Sequence, residues 1–174
     1  VICVLAGGVG AARYLDGLLQ VRPPSSVVAV VNVADDVELH GLHVSPDLDT
    51  VTYTLAGAIN PETGWGLGGE SWQAMDMVAR YGGISWFRLG DRDLGTHLYR
   101  THRLREGAPL STVTAEIVRA WGLGLTVVPV SDDRIETRVV LADGPDAGTE
   151  IGFQEYFVQR RHDVPVRSVR FVGA

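Results

Sequence analysis

Two nearly unbroken apolar runs, Val1–Leu5 and Val27–Val31, open the chain. Runs of this length, bounded by turn residues, read as buried strands of a parallel sheet. Between them Tyr14, Leu15, Leu18 and Leu19 recur at helical spacing, so an amphipathic helix reaches about Val21. The β-α-β order predicts a parallel pair with a right-handed crossover. The pattern predicts four more helices: a short one from about Asp47, one over Ser71–Tyr81, one from near Asp91 to Arg105, and one from Pro109 to about Trp121 with Ser111 as its N-cap. Predicted strands cover Ile84–Leu89, Thr126–Val130, Glu136–Ala142 and Val166–Val172, with Pro129 marking an edge or a strand end. Ile151–Val158 is apolar and aromatic and suits either a strand or a helix. Together these elements predict an α/β fold, a Rossmann-like, mostly parallel sheet with helices on both faces, in one domain over residues 1–174. The closing Phe-Val-Gly-Ala looks like a βα unit that continues, which predicts the N-terminal portion of a longer fold.

Composition narrows the chemistry. With 174 residues and 45% hydrophobic content the chain can bury a real core. A net charge of −6 argues against a general nucleic-acid binder, which needs a basic face. All 15 basic residues are Arg. Without Lys there is no Schiff-base chemistry and no Walker A lysine, so phosphate recognition must use Arg, backbone N–H groups or a metal. Cys3 lies inside the first apolar run and is expected in the core, which leaves no disulfide framework and no cysteine zinc site. No signal peptide and no bilayer-long apolar run is visible, so a cytoplasmic protein with no membrane partner is expected.

The stretch Asn32–Thr50 carries the densest chemistry: Asp35, Asp36, Asp47, Asp49, Glu38, His40 and His43, directly behind the second apolar run. Ligand crevices of α/β sheets lie past the carboxyl ends of strands. Carboxylates there hold a hard cation such as Mg²⁺ or accept from ligand hydroxyls, although single aspartates also cap helices and turns. Asp47 and Asp49 are two apart and so point to different sides of a helix; one should serve the helix start, and Asp49 is the choice for the ligand. The turn Gly7-Gly8-Val9-Gly10 lets backbone approach a phosphate at a helix N-terminus, with Arg13 standing where a dinucleotide fingerprint has its third glycine. A plain tight turn is the alternative. Arg88, at the end of a predicted strand, is the best anion contact in the most basic part of the chain. His40 and His43 keep a zinc or iron site open, though no third ligand falls at a recognised spacing. His97 and His102 read as helix-surface or structural residues.

Several longer strings point further: Leu5-Ala-Gly-Gly-Val-Gly, Val31-Asn-Val-Ala-Asp-Asp, His40-Gly-Leu-His-Val-Ser-Pro-Asp-Leu-Asp-Thr, Gly64-Trp-Gly-Leu, Trp86-Phe-Arg-Leu-Gly-Asp-Arg-Asp-Leu-Gly-Thr-His and Phe153-Gln-Glu-Tyr-Phe-Val. In these, in order and over nearly the whole chain, the sequence resembles the 2-phospho-L-lactate transferase family of coenzyme F-420 biosynthesis. The resemblance implies transfer of a phospho-lactyl or phospho-enolpyruvyl group from a guanosine diphospho donor to the deazaflavin 7,8-didemethyl-8-hydroxy-5-deazariboflavin, with GMP released and Mg²⁺ assisting. It places deazaflavin binding on Asp49 and Arg88, phosphate or nucleotide binding on the turn with Gly7, Gly8 and Gly10, and the metal on Asp35 and Asp36; Arg13, beside that turn, is a candidate phosphate contact or a solvated first-turn residue by its position alone. Asp49 is also the expected general base. The family's chains run on further, so a C-terminal part is expected beyond this one. Two other readings stay open: a nucleotide- or deazaflavin-binding module without chemistry, and a metal-dependent hydrolase using His40, His43 and the aspartates. An exposed sheet edge would favour a homodimer.

Overall fold

In the computed structural model, which describes residues 1–174, the first two apolar runs pair as expected. Ile2–Ala6 (β1) lies parallel to Val27–Val31 (β2), with Ala6 opposite Val31. Thr126–Pro129 (β5) adds on the far side of β2, in the order β1-β2-β5. Pro129 therefore sits in an edge strand, where its missing N–H costs no ladder bond. Two short strands, Val37–Leu39 (β3) and Leu42–Val44 (β4), form an antiparallel hairpin. Glu136–Leu141 (β6) is flanked by Glu150–Gly152 (β7) and Val166–Val172 (β8), all antiparallel. Thr137, Val139 and Leu141 share the buried side of β6.

Five α-helices connect these strands: Val9–Leu19 (α1), Pro46–Leu55 (α2), Gln73–Arg80 (α3), Asp93–Arg105 (α4) and Leu110–Ala120 (α5). Ala12 and Leu15 of α1, Leu48 and Val51 of α2, and Leu110 and Val118 of α5 join Val27, Ala29, Val31 and Val127 in one core. The strand order explains this one-sidedness. Right-handed crossovers that always step the same way across a sheet place every helix on the same face. The helices expected on both faces of the parallel sheet lie, within this chain, on one. Leu5 is consequently 82% exposed, and Cys3, expected in the core, is exposed beside it.

Two other expectations change. Ile84–Leu89 is not a strand; its apolar residues Trp86, Phe87 and Leu89 pack on Leu39, Val44 and Met75 with no ladder partner. Ser111 does not cap α5 but lies inside its first turn. Its N–H and hydroxyl donate to Asp132, at 2.6 and 3.0 Å, so the cap comes from the turn after β5. The neighbouring helices use the same device reciprocally. Asp91 accepts from the Gln73 and Ala74 N–H groups at the start of α3, and Glu70 accepts from the Arg92 and Asp93 N–H groups at the start of α4. These borrowed caps satisfy orphan helix donors and fix the angle of α4, which carries much of the site. Residues 151–158 hold both structures the sequence allowed: β7, then a π-helical turn over Glu155–Gln159.

Candidate active site at the carboxyl ends of the parallel strands

β1 and β2 end at Ala6 and Val31, and the chain after each runs into one crevice. Gly7, Gly8 and Val9 at the start of α1, Asn32 and Asp35 after β2, and Pro46, Asp47 and Asp49 of α2 form one side of a cavity of about 910 Å³. Trp65, Trp72, Trp86, Phe87, Phe153 and Phe157 supply its aromatic side. The π turn that presents Phe157 is tied to the crevice by Gln154, whose amide donates to the Asp35 carbonyl at 2.9 Å. A large apolar wall facing a few convergent polar groups is the usual form of a small-molecule site.

The polar corner is built on Asn32. Its amide nitrogen donates to Asp35 Oδ2 at 3.0 Å and to Asp47 Oδ2 at 2.9 Å, so one neutral group serves two carboxylates. Asp47 also leans against the glycine turn: a Cβ at Gly8 would stand 2.8 Å from its Oδ1. Glycine at position 8 is what lets a carboxylate and a helix N-terminus share this space. Burial, opposed by Thr137 and Asn32, pushes the Asp35 carboxyl above its ordinary value. Burial does the same to Asp47, with Asn32 opposing and the charges of Asp35 and Asp36 adding to it. Two desolvated oxygen donors with no ion-pair partner are a fit for a hard cation.

Asp36 goes elsewhere. Its Oδ2 accepts from Ser45 at 2.7 Å and lies 2.9 Å from His43 Nε2, and Oδ1 has no hydrogen-bond partner. It borders a separate cleft of about 280 Å³ with Glu38 and Arg134, so the structure does not bring it together with Asp35 at the main cavity. Burial raises its carboxyl too, against the pull of His43 and Ser45. His40 stands exposed at the tip of the β3–β4 hairpin with a φ of 55°. The His40–His43 pair therefore gathers no metal ligands at the cavity, and the hydrolase reading loses its ligand set.

Beneath the cavity lies a second cluster that the hydrophobic pattern does not announce. Arg100 of α4 donates from Nη1 to Asp49 Oδ2 at 3.1 Å and from Nη2 to Asp49 Oδ1. His97 Nδ1 is 3.7 Å from Asp49 Oδ2, and its Nε2 is 3.2 Å from Asp93 Oδ2 without the alignment of a hydrogen bond. The Tyr53 hydroxyl donates to Asp93 Oδ1 at 2.6 Å. Ligand atoms of Asp49, Asp93 and His97 all fall within 4.8 Å of one another, a spacing that could hold a metal ion. Burial pushes the Asp93 carboxyl up, but His97, Tyr53 and Arg100 together outweigh it and hold it low. Burial and the two nearby carboxylates push the Tyr53 phenol far up, so it stays a neutral donor.

With this geometry in place, comparison with known proteins is decisive. The family model described as 2-phospho-L-lactate transferase CofD matches residues 2–174. The chain belongs to that family. A phosphoenolpyruvate transferase of Nocardia farcinica is 48% identical over 176 residues, covering 99% of this chain and 53% of its own length. One of Mycobacterium avium is 47% identical over 195 residues, covering 99% and 58%. This member of the CofD family thus spans a little over half the length of the curated relatives it matches. A crystal structure of a UPF0052-family protein from Bacillus halodurans superposes with a TM-score of 0.57 at 18% identity, over 98% of this chain and 50% of that one. It supports the fold. No helix is long and apolar enough to cross a membrane.

Of the residues expected from the sequence, Gly7, Gly8, Asp35, Asp49 and Arg88 border this cavity. Gly10 and Arg13 are exposed and do not line it, although the Arg13 guanidinium lies 3.9 Å from where a Cβ at Gly64 would stand, next to the cavity-lining Trp65. Arg88 is half-exposed, held by Asp76 at 2.6 Å and stacked 5.0 Å from the Trp72 ring. Asp49 is 6% exposed and engaged by Arg100 through both oxygens. The sequence reading left out the place of Asp47 in the cavity corner, and it left out Tyr53, Asp93, His97 and Arg100. The signal for the last three was the 93-97-100 spacing, which puts them on one face of a helix.

Proposed function

We propose that this chain supplies the acceptor- and diphosphate-binding region of a transferase. The reaction moves a phospho-lactyl or phospho-enolpyruvyl group from a guanosine diphospho donor to 7,8-didemethyl-8-hydroxy-5-deazariboflavin. The observation that carries this reading is the single cavity in which an aromatic wall faces a corner of glycine backbone and paired carboxylates. A planar deazaflavin suits the first, and a charged diphosphate with its cation suits the second. The phosphoenolpyruvate transferases at close to half identity support the same class of reaction.

In this reading an acceptor hydroxyl attacks the phosphorus that bears the three-carbon acid. The new P–O bond forms as the diphosphate bridge breaks, the hydroxyl proton passes to solvent or a nearby carboxylate, and GMP leaves. Such transfers go through loose transition states and depend mainly on alignment and charge neutralisation. Asp35 and Asp47 would hold Mg²⁺, which supplies neutralisation of diphosphate charge when bound. Free N–H groups at the start of α1 face the same charge. Arg88, freed from Asp76, would meet an anion or a carbonyl at the cavity rim. Asp49 is assigned the orienting role toward acceptor hydroxyls, because Arg100 already holds both its oxygens and a loose transition state asks little of a general base.

The test is a titration with the deazaflavin followed by its fluorescence, then addition of Mg²⁺ and the guanosine diphospho donor. Saturable binding and GMP release are expected. Binding without release would limit the chain to the acceptor site, and no binding by a folded sample would contradict the proposal.

A further inference from the structure

Arg100 is the largest fully buried side chain of the protein, at 2% exposure. A buried cation of this size needs a reason beyond packing. Its two terminal nitrogens go to both oxygens of Asp49, while its Nε has no hydrogen-bond partner at all. The guanidinium is anchored on one carboxylate, with a longer contact of 3.4 Å from Nη1 to the His43 carbonyl. It also lies 3.4 Å from His97 Nδ1. A guanidinium can only donate, so Nδ1 is the accepting nitrogen and the ring proton sits on Nε2, the nitrogen facing Asp93. His97 then offers no free lone pair: one faces Arg100, and the other position carries a proton. Tyr53 donates into Asp93 from the opposite side. Asp49, Asp93 and His97 are spaced as metal ligands, yet Arg100 already engages Asp49 and His97 Nδ1, and Tyr53 engages Asp93.

We propose that Arg100 is a positioning residue that serves as the built-in cation of this cluster. It fixes the Asp49 carboxylate in the cavity floor for the acceptor hydroxyls, and it occupies the role that a divalent metal would otherwise take at Asp49, Asp93 and His97. The first half rests on the proposed function; the second stands without it.

Two readouts test this on wild type, Arg100→Lys and Arg100→Met. Co²⁺ titration followed by visible absorption reports histidine-ligated metal, and deazaflavin fluorescence reports acceptor affinity. Wild type should show no Co²⁺ band that depends on His97. Arg100→Met should gain one, and adding His97→Asn should remove it. Acceptor affinity should fall about 3- to 10-fold in Arg100→Lys, whose single ammonium cannot grip both oxygens, and by more than about 10-fold in Arg100→Met. A wild-type Co²⁺ band abolished by His97→Asn, or a folded Arg100→Met that gains none, overturns the cation role. Unchanged acceptor affinity in folded Arg100→Lys overturns the positioning role. Should Arg100→Met not fold, wild type against His97→Asn still decides the metal question and the Lys variant still decides positioning. If wild type itself fails to bind the acceptor, the proposed function falls and takes the positioning half with it, while the Co²⁺ series still decides the other.

Discussion

Two pairs of carboxylates border the same cavity and are balanced in different ways. Asp49 and Asp93 are buried against one cation, Arg100, and two neutral polar neighbours, His97 and Tyr53. Asp35 and Asp47, closer to solvent, share one neutral Asn32 amide. The balanced pair has protein partners and suits a rigid floor. The unbalanced pair is left with raised carboxyls and no cationic partner, which is where the proposed cation would bind. Counting acidic residues in the sequence does not separate these roles; their neighbours do.

The largest effect should come from breaking the balanced pair. Arg100→Ala leaves Asp49 buried and uncompensated and should cost about 3–5 kcal/mol in urea unfolding. A loss below about 1 kcal/mol would mean that water already reaches this pair and that the contrast is overdrawn. Next is the unbalanced pair. Asp35→Asn should lower Mg²⁺-dependent turnover by at least about 100-fold while leaving the unfolding midpoint unchanged or higher. Activity that falls only in step with stability would erase the difference between the clusters.

A smaller effect tests the frame that holds α4 against both. A Cβ at Gly90 would stand 2.2 Å from the Glu70 side chain, whose carboxylate caps α4. Gly90→Ala should therefore displace the cap and cost about 1–2 kcal/mol in thermal or urea unfolding. The smallest effect has the opposite sign. Asp47 is raised in the fold, so the fold prefers it protonated. Its contribution is fully present below the unfolded value of 3.8 and is lost as pH rises through the folded value. Asp47→Asn removes that loss and should stabilise the metal-free protein by up to about 1 kcal/mol at neutral pH. The gain should fade on acidification toward and below pH 3.8, where wild-type Asp47 is itself protonated. Melting curves of the two proteins across that range check the sign.

Much of the frame was legible in the sequence because apolar period and burial coincide there. β2 and the helix faces carrying Leu15, Leu48 and Met75 are examples. The crevice was legible because acids and glycines follow the ends of buried strands. Elsewhere the same logic misled. Leu5 and Cys3 look like core, but strand order leaves their face uncovered, and order is a non-local property. Trp86, Phe87 and Leu89 mimic a strand, yet they are apolar because they wall a cavity. Arg100 and His97 were invisible to hydropathy: a polar side chain buried by its partners leaves no apolar period. The same holds for Asp36, whose partner His43 comes from the next hairpin and draws it away from Asp35.

Anomalous diffraction from crystals soaked in Mn²⁺ would test the division between the two clusters most directly. The account predicts a peak between Asp35 and Asp47, beside Gly8, and no density among Asp49, Asp93 and His97. A peak ligated by His97, with Arg100 displaced from Asp49, would contradict it.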